Sequence, residues 1–238
     1  MLQVTENNSV TEQSPPPERP PFDGERLAAH EVVRHAGDWL GADLALTASF
    51  GGPAGMVLLD MAVRFAPRTP VLLIDTGVLF DETYRTAEQV EKRYGIRVQR
   101  VVPRQTLAEQ AATHGERLWE RHPDTCCQLR KVEPLRDALT GYRGWMTAIR
   151  RDQTAARRET PVVAWSQKYG LWKFAPLAAW SDDDVWTYIH VNGVPFNPLL
   201  EQGYLSIGCK TCTRKPVNDD PRSGRWANFA KTECGLHI

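Results

Sequence analysis

Apolar positions fall into short runs separated by glycine-, proline- and charge-rich links, and their spacing alternates between helical and extended. Leu27, Val32 and Leu40 share one face and predict a helix from about Glu25 to Trp39. The run from Leu44 to Phe50 predicts a buried strand. Gly51-Gly52-Pro53-Ala54-Gly55 follows and leads into an apolar helix through Met56, Leu59 and Val63. Val71 to Asp75 predicts a second strand, ending at Thr76-Gly77. A helix from about Asp81 to Tyr94, a strand from Ile96 to Val102 and a helix near Thr106 to Thr113 complete the first half.

In the second half the elements shorten. The segment starting at Cys126-Cys127 is expected at or within a helix, and Trp145 to Ile149 as a strand. Val162 to Trp165 and Trp172 to Phe174 read as a hairpin around Lys168-Tyr169-Gly170. Ser181 is an N-cap for a helix opened by Asp182, Asp183 and Asp184; those acids read as helix starters, not as a metal site. Strands alternating with helices over short links predict an α/β fold with a doubly wound, mostly parallel sheet. Ligands of such sheets bind outside the carboxyl ends of the strands. Ser49 to Gly52 and Asp75 to Gly77 lie at two such ends, so a nucleotide is expected there.

Composition narrows the function classes. The 238 residues suit one large domain, and 29 basic side chains balance 29 acidic ones. That balance argues against a nucleic-acid or membrane-surface protein. With no apolar run of membrane length and no secretory pattern, a cytoplasmic location is expected. The proline-rich residues 1–22 are expected to be a disordered arm, 23–212 the α/β domain, and 213–238 a tail laid over it.

The candidate chemistry lies in three places. The glycine-rich turn after Ser49 could face its N–H groups toward a phosphate at a helix N-terminus, although it lacks the G-K-[ST] of a Walker A loop. Arg150, Arg151, Arg157 and Arg158 follow a strand end and suit either a polyanion or solvent. The third place is the set of five cysteines. Cys126-Cys127 and Cys209-x-x-Cys212 form two tight pairs, which fit zinc, a [4Fe–4S] cluster or a redox dithiol; adjacent residues are unusual for tetrahedral zinc. Cys234 stands apart near the end, flanked by Lys231 and His237, cations that would favour its thiolate.

Several of these motifs together resemble the assimilatory sulfonucleotide reductases of the iron–sulfur type, within the adenine-nucleotide α-hydrolase-like (PP-loop) superfamily. The resemblance runs from about Leu44 to the end. It is carried by Ile74-Asp75-Thr76-Gly77-Val78-Leu79-Phe80-Asp81-Glu82-Thr83-Tyr84, Cys126-Cys127 with Arg130-Lys131, and Arg150-Arg151-Asp152-Gln153. Gly203-Tyr204-Leu205-Ser206-Ile207-Gly208-Cys209 with Cys212-Thr213, Gly224-Arg225-Trp226 and Glu233-Cys234-Gly235-Leu236-His237 complete it.

The resemblance implies that Cys234 attacks the sulfur of adenosine 5′-phosphosulfate, expels AMP and carries an S-sulfocysteine that thioredoxin resolves to sulfite. It implies a [4Fe–4S] cluster on Cys126, Cys127, Cys209 and Cys212. Lys131, Arg158, Arg222 and Arg225 would offset the charge of the sulfate, Ser49, Gly51 and the backbone from Leu73 onward would hold the nucleotide, and His237 would tune Cys234 or bind phosphate. Thioredoxin and the small-molecule substrate are thus the expected partners, with no nucleic acid and no membrane; a homo-oligomer is left open. The superfamily turn S-G-G-x-D-S is here Ser49-Phe50-Gly51-Gly52-Pro53-Ala54, which fits loss of ATP pyrophosphatase chemistry. Val78 and Ala148 also depart from the pattern and bear only on fine contacts. The rival readings are a reductase of the 3′-phosphorylated nucleotide, a PP-loop tRNA-thiolating enzyme and a non-catalytic zinc module.

Overall fold

The computed structural model describes residues 18–218 and 220–237. Six short strands form one sheet: β1 (Leu44–Thr47), β2 (Val71–Ile74), β3 (Val98–Val101), β4 (Gly144–Met146), β5 (Val163–Ser166) and β6 (Leu171–Phe174), in the order β3-β2-β1-β4-β6-β5. Every neighbouring pair is parallel except β5 with β6, the predicted hairpin. The chain winds outward from β1 to β3 and then returns to place β4 on the other side of β1. The switch point, where such sheets bind ligands, is therefore the crevice between the carboxyl ends of β1 and β4.

Alternation along the strands divides the core. Leu44, Leu46, Leu73, Met146 and Phe174 face one side, with residues of α1 (Ala29–Leu40), α2 (Pro53–Phe65), α3 (Asp81–Tyr94) and α8 (Asp182–Asn192). Ala45, Leu72, Trp145 and Leu171 face the other, with Leu135 and Leu139 of α7 (Glu133–Leu139) and, from the tail, Leu236. The tail thus covers part of a sheet face that the helices leave open.

Local chemistry explains the element ends. Helix α3 opens on Asp81 and Glu82, closes on Lys92 and Arg93 and stops at Gly95 in the left-handed region, φ +64°. Ser181 caps α8, accepting from the N–H of Asp184, and Thr106 does the same for α4 (Leu107–His114). On α2, the fully buried Asp60 accepts from Tyr94 (2.8 Å) and Tyr188 (2.7 Å) and pairs with Arg64 (3.0 Å), tying α2 to α3 and α8.

Four strands are shorter than expected, β2 by one residue and β3, at Val98–Val101, by three. β1 stops at Thr47, because the chain must turn at Phe50 (φ +53°) into the glycine pair. β4 stops at Met146, and residues 147–149 leave the sheet toward the arginine-bearing loop. Residues 1–17 of the expected arm lie outside the described residues, whereas Phe22 packs on His35 and Phe174, with ring centroids 5.4 and 6.2 Å away. Among the described residues no helix is long and apolar enough to cross a membrane.

Candidate active site

A cavity of about 490 Å³ opens at the switch point. Thr47 at the end of β1 with Ala48 and Ser49 after it, Ile74 at the end of β2 with Thr76 after it, and Thr147 to Arg150 beyond β4 form its floor. Lys131, Arg157, Arg222, Arg225, Cys234 and His237 are part of the wall above it, so residues up to 190 positions apart meet around one space. The Ser49 Oγ accepts from the N–H groups of Gly51 and Gly52, each at 3.4 Å, and folds the turn back on itself. Gly51 does not line the cavity. A side-chain carbon there would lie 2.9 Å from the carbonyl oxygen of Ile207, so its smallness permits close approach of the 207 segment. Leu73 is buried in the core and likewise points away; the cavity begins at Ile74.

The cationic wall retains unused donors. Nε of Arg222, Nε of Arg225 and Nδ1 of His237 are buried without a hydrogen-bond partner. Burial and the neighbouring Arg225 lower the Arg222 pKa. Burial also works against charge on Lys131, but the thiols of Cys209, Cys234 and Cys127 outweigh it and raise its pKa, so Lys131 is a cation at neutral pH. The imidazole of His237 behaves oppositely. Burial, then Lys173, Arg157, Lys168 and Arg222, push its pKa well below the ordinary value, so it is neutral and contributes hydrogen bonds, not charge.

The arginine-bearing loop is neither a free polyanion site nor a solvated run. Arg150 is held by Asp152 (3.0 Å) and Asp182 (2.9 Å), and Arg151 by Glu25 (2.8 Å). Arg157 forms two hydrogen bonds to the Glu233 carboxylate, 2.9 and 2.7 Å. Arg158, expected at the substrate, is exposed and outside the cavity wall; Arg157 stands there in its place. A 3₁₀ turn over Ala155–Arg157 sets this phase, which two adjacent arginines in a sequence do not reveal.

The tail bearing Cys234 is fastened on both sides of it. Before it, Lys231 pairs with Asp124, and Arg222 Nη2 donates to the Thr232 carbonyl at 2.7 Å. After it, the β5–β6 hairpin takes three successive carbonyls. Lys168 donates to Gly235, Tyr169 to Leu236 at 3.0 Å, and Lys173 to His237 at 3.3 Å. This fastened segment, 231–237, is a strap along one side of the cavity, to which it contributes Cys234, Leu236 and His237.

The four paired cysteines come from two segments whose thiols act on one another electrostatically. Cys126 and Cys127 end α6 (Pro123–Cys127), which follows the single turn α5 (Leu118–Arg121), and lead into a π-helical turn, Gln128–Val132, that runs on into α7. Cys209 precedes and Cys212 ends a 3₁₀ turn, Lys210–Cys212. Arg130 bolts the first segment to the strand ends, donating to the Thr76 carbonyl (2.6 Å) and to Gln110 (3.1 Å). Burial and then the other three thiols push Cys126 up to about 12, and burial pushes Cys127 up to about 11. For Cys209, burial is outweighed by Lys131, the Thr76 hydroxyl (3.3 Å) and Arg225, which lower its pKa. Among the described residues, no three His, Cys, Asp or Glu side chains converge closely enough to hold a single metal ion.

Residues 43–215 match the phosphoadenosine phosphosulfate reductase domain. The chain belongs to that family. It is 43% identical over 238 residues to adenosine 5′-phosphosulfate reductase of Streptomyces coelicolor, covering the full length of both. To the reductase of the same name from Mycolicibacterium smegmatis it is 44% identical over 89% of each chain. The Mycobacterium tuberculosis enzyme is 48% identical over 77% of this chain and 73% of its own. Among solved structures, the phosphoadenylyl-sulfate reductase of Candida auris, a phosphate complex, superposes with a TM-score of 0.69 at 33% identity, covering 78% of this chain and 90% of that one. The FMN adenylyltransferase of Candida glabrata, at 14% identity and a TM-score of 0.56, shares the fold alone.

The family and the doubly wound fold read from the motifs are thereby borne out. Of the residues singled out in the sequence, the structure gathers Ser49, Lys131, Arg222, Arg225, Cys234 and His237 on one cavity, while Gly51, Leu73 and Arg158 lie off it. It gives roles the sequence did not assign: Arg157, read there only as one of four arginines suiting a polyanion or solvent, pairs with Glu233, quoted there only within its motif, and Lys168, Tyr169 and Lys173 anchor the strap. The hairpin turn was legible; that its side chains hold a segment over 60 residues later was not.

Proposed function

We propose that this chain reduces adenosine 5′-phosphosulfate to sulfite and AMP, as an enzyme of sulfate assimilation, with Cys234 as nucleophile and thioredoxin as the dithiol reductant. The observation that carries the reading is the placement of Cys234 on one cavity wall with Lys131, Arg222 and Arg225, facing the carboxyl ends of β1 and β4. Adenosine would lie along the strand ends and the phosphosulfate against the cations. Buried guanidinium nitrogens without partners suit an anionic ligand, because its oxygens would satisfy them. The names of the curated relatives support the substrate without a 3′-phosphate.

Chemically, the Cys234 thiolate forms a bond to the sulfate sulfur as the bond from that sulfur to the bridging oxygen breaks. The electron pair leaves on the phosphate of AMP. Lys131, Arg222 and Arg225 offset the repulsion between thiolate and sulfate and the charge that develops on the leaving oxygen. The resulting S-sulfocysteine is attacked at Sγ of Cys234 by one thiolate of the reductant, and sulfite departs with the S–S electron pair. The second thiol of the reductant closes its disulfide and returns Cys234 as a thiolate. The dithiol thus supplies both electrons. His237, neutral and stacked beside the site, can hydrogen-bond the bound anion through Nδ1.

We further infer that Cys126, Cys127, Cys209 and Cys212 hold a [4Fe–4S] cluster. A zinc ion binds each thiolate at about 2.3 Å and needs all four thiols close together, whereas a cubane spreads its ligands over four corners. Adjacent cysteines are unusual for tetrahedral zinc, and the thiols of Cys127, Cys209 and Cys212 all act on Cys126, which supports the larger group. When bound, the cluster supplies a fixed negative charge beside Lys131. Iron and acid-labile sulfide near four each per chain would support this assignment, and stoichiometric zinc would overturn it.

The test of the reaction is intact-protein mass spectrometry after anaerobic mixing with adenosine 5′-phosphosulfate in the absence of reductant. The expected result is one sulfonate on the Cys234 peptide, released as sulfite by reduced thioredoxin. An adduct with the 3′-phosphorylated nucleotide alone would reassign the substrate. No adduct with either in cluster-loaded protein would overturn the reading.

A further inference from the structure

The residue before the nucleophile is a buried carboxylate. Glu233 is 6% exposed and accepts hydrogen bonds from Arg157 Nε (2.9 Å), Arg157 Nη2 (2.7 Å) and the Thr154 hydroxyl (3.0 Å). Arg222 Nη2 lies 3.8 Å from the same carboxylate and also grips the Thr232 carbonyl. Burying an acid is costly unless it is paired, and an extra negative charge beside a thiolate that attacks an anion works against the reaction. Its presence there calls for a compensating role.

The geometry supplies one. Arg157 and Arg222 both line the cavity, repel each other, and crowd further against Arg225 and Lys173. Glu233 is the acid hydrogen-bonded to Arg157 and ion-paired with Arg222. With its side chain paired in this way, the carboxyl is held below the usual range by Arg157, Arg222 and Thr154 although burial opposes it, so it is ionised at neutral pH. One peptide bond then joins this fixed point to Cys234.

We propose that Glu233 is a positioning residue. Its carboxylate sets the closed position of the Cys234 main chain and, in the same contact, orients Arg157 and Arg222 toward the substrate. The cation wall is then complete only when the tail is closed, so the nucleophile and the groups that offset substrate charge arrive together. This role rests on the reductase reading for its effect on rate. Its effect on tail closure stands on the geometry alone.

Two measurements on Glu233→Gln and Glu233→Asp in the cluster-loaded full chain test it. In single turnover without reductant, Glu233→Gln should form the Cys234 adduct about 10- to 100-fold more slowly, the usual consequence of losing a charge-assisted pair. Glu233→Asp, which keeps the charge, should recover part of the rate. Without nucleotide, iodoacetamide should label Cys234 about ten-fold faster in Glu233→Gln than in the wild type, again with partial recovery in Glu233→Asp. AMP binding within about three-fold of wild type would show that the site is folded. If Glu233→Gln does not fold, Thr154→Val removes one of the carboxylate's hydrogen bonds and should shift both readouts in the same direction. Wild-type rates of adduct formation and labelling in Glu233→Gln, or no recovery in Glu233→Asp, would overturn the proposal. Failure of the wild type itself to form an adduct would overturn the reductase reading, while the labelling comparison would still decide the role of Glu233.

Discussion

The imidazole of His237 lies flat on the indole of Trp145, with ring centroids 5.2 Å apart and planes 12° from parallel. Trp145 is fully buried on β4, and its Nε1 donates to Thr47 Oγ1 on β1 at 2.8 Å. The end of the strap is therefore seated on the two strands that define the switch point.

This stack separates two roles of His237. His237→Ala should release the strap and speed iodoacetamide labelling of Cys234 about 2- to 10-fold, the range expected for loss of an aromatic pair. His237→Phe keeps a ring on Trp145 and should label at nearly the wild-type rate. Slower adduct formation in His237→Phe, with labelling unchanged, would measure what the imidazole nitrogens contribute.

Gly208 offers a way to move one cation without touching it. A side-chain carbon at this position would lie 2.3 Å from Nη2 of Arg225 and 2.7 Å from its Cζ. The obstructing atoms are the end of a flexible side chain, so Gly208→Ala should displace the guanidinium and leave the fold intact. The expected outcome is a thermal midpoint close to wild type with adduct formation slowed about 10²-fold, the scale of losing one preorganised donor.

Arg157 and Arg158 are neighbours in sequence with opposite exposures. Arg158→Ala should leave the rate of adduct formation within about two-fold, as for most exposed substitutions. Arg157→Ala removes the Glu233 pair and a cation of the cavity wall, and should slow the reaction by at least about ten-fold. Equal losses in the two variants would contradict the placement seen here.

Lys173 predicts a pH dependence. Burial, then Arg157 and Lys168, lower its pKa to about 8, with Glu233 opposing; its Nζ also faces the His237 carbonyl and lies over the Trp145 ring. Between about 8 and the ordinary lysine value of 10.5, the unfolded chain keeps the proton that the folded protein has lost. Folding stability should therefore rise with pH across that window. Thermal melts from pH 8 to 9.5 should show Lys173→Met lacking the part of the rise that wild type displays.

Much of the framework was legible because its signals are local. The bounds of α3 follow from acids at one end, bases at the other and Gly95 beyond, all within one stretch of chain. The hairpin and the α8 cap were equally local. The site was legible only in part. Lys131, Arg222, Arg225 and Cys234 belong to motifs, so resemblance found them. Arg157 was hidden because its distinction from Arg158 rests on the phase of one 3₁₀ turn. Glu233 was hidden because its partner lies 76 positions earlier, a relation that no periodicity encodes. The end of β1 was misjudged because Ala48 and Phe50 are apolar and buried, yet lie in a turn and not in a strand.

The β5–β6 hairpin holds the strap by carbonyl oxygens at three consecutive residues, 235, 236 and 237. Every amino acid has a carbonyl, so these contacts read the number of residues after Cys234 and are indifferent to which residues they are. The hairpin is in effect a gauge of chain length. Substitutions at Gly235 or Leu236 act through backbone angle or packing, but a single residue inserted directly after Cys234 would put all three contacts out of step at once. The distance from nucleophile to anchor is thus under tighter constraint than the side chains in between.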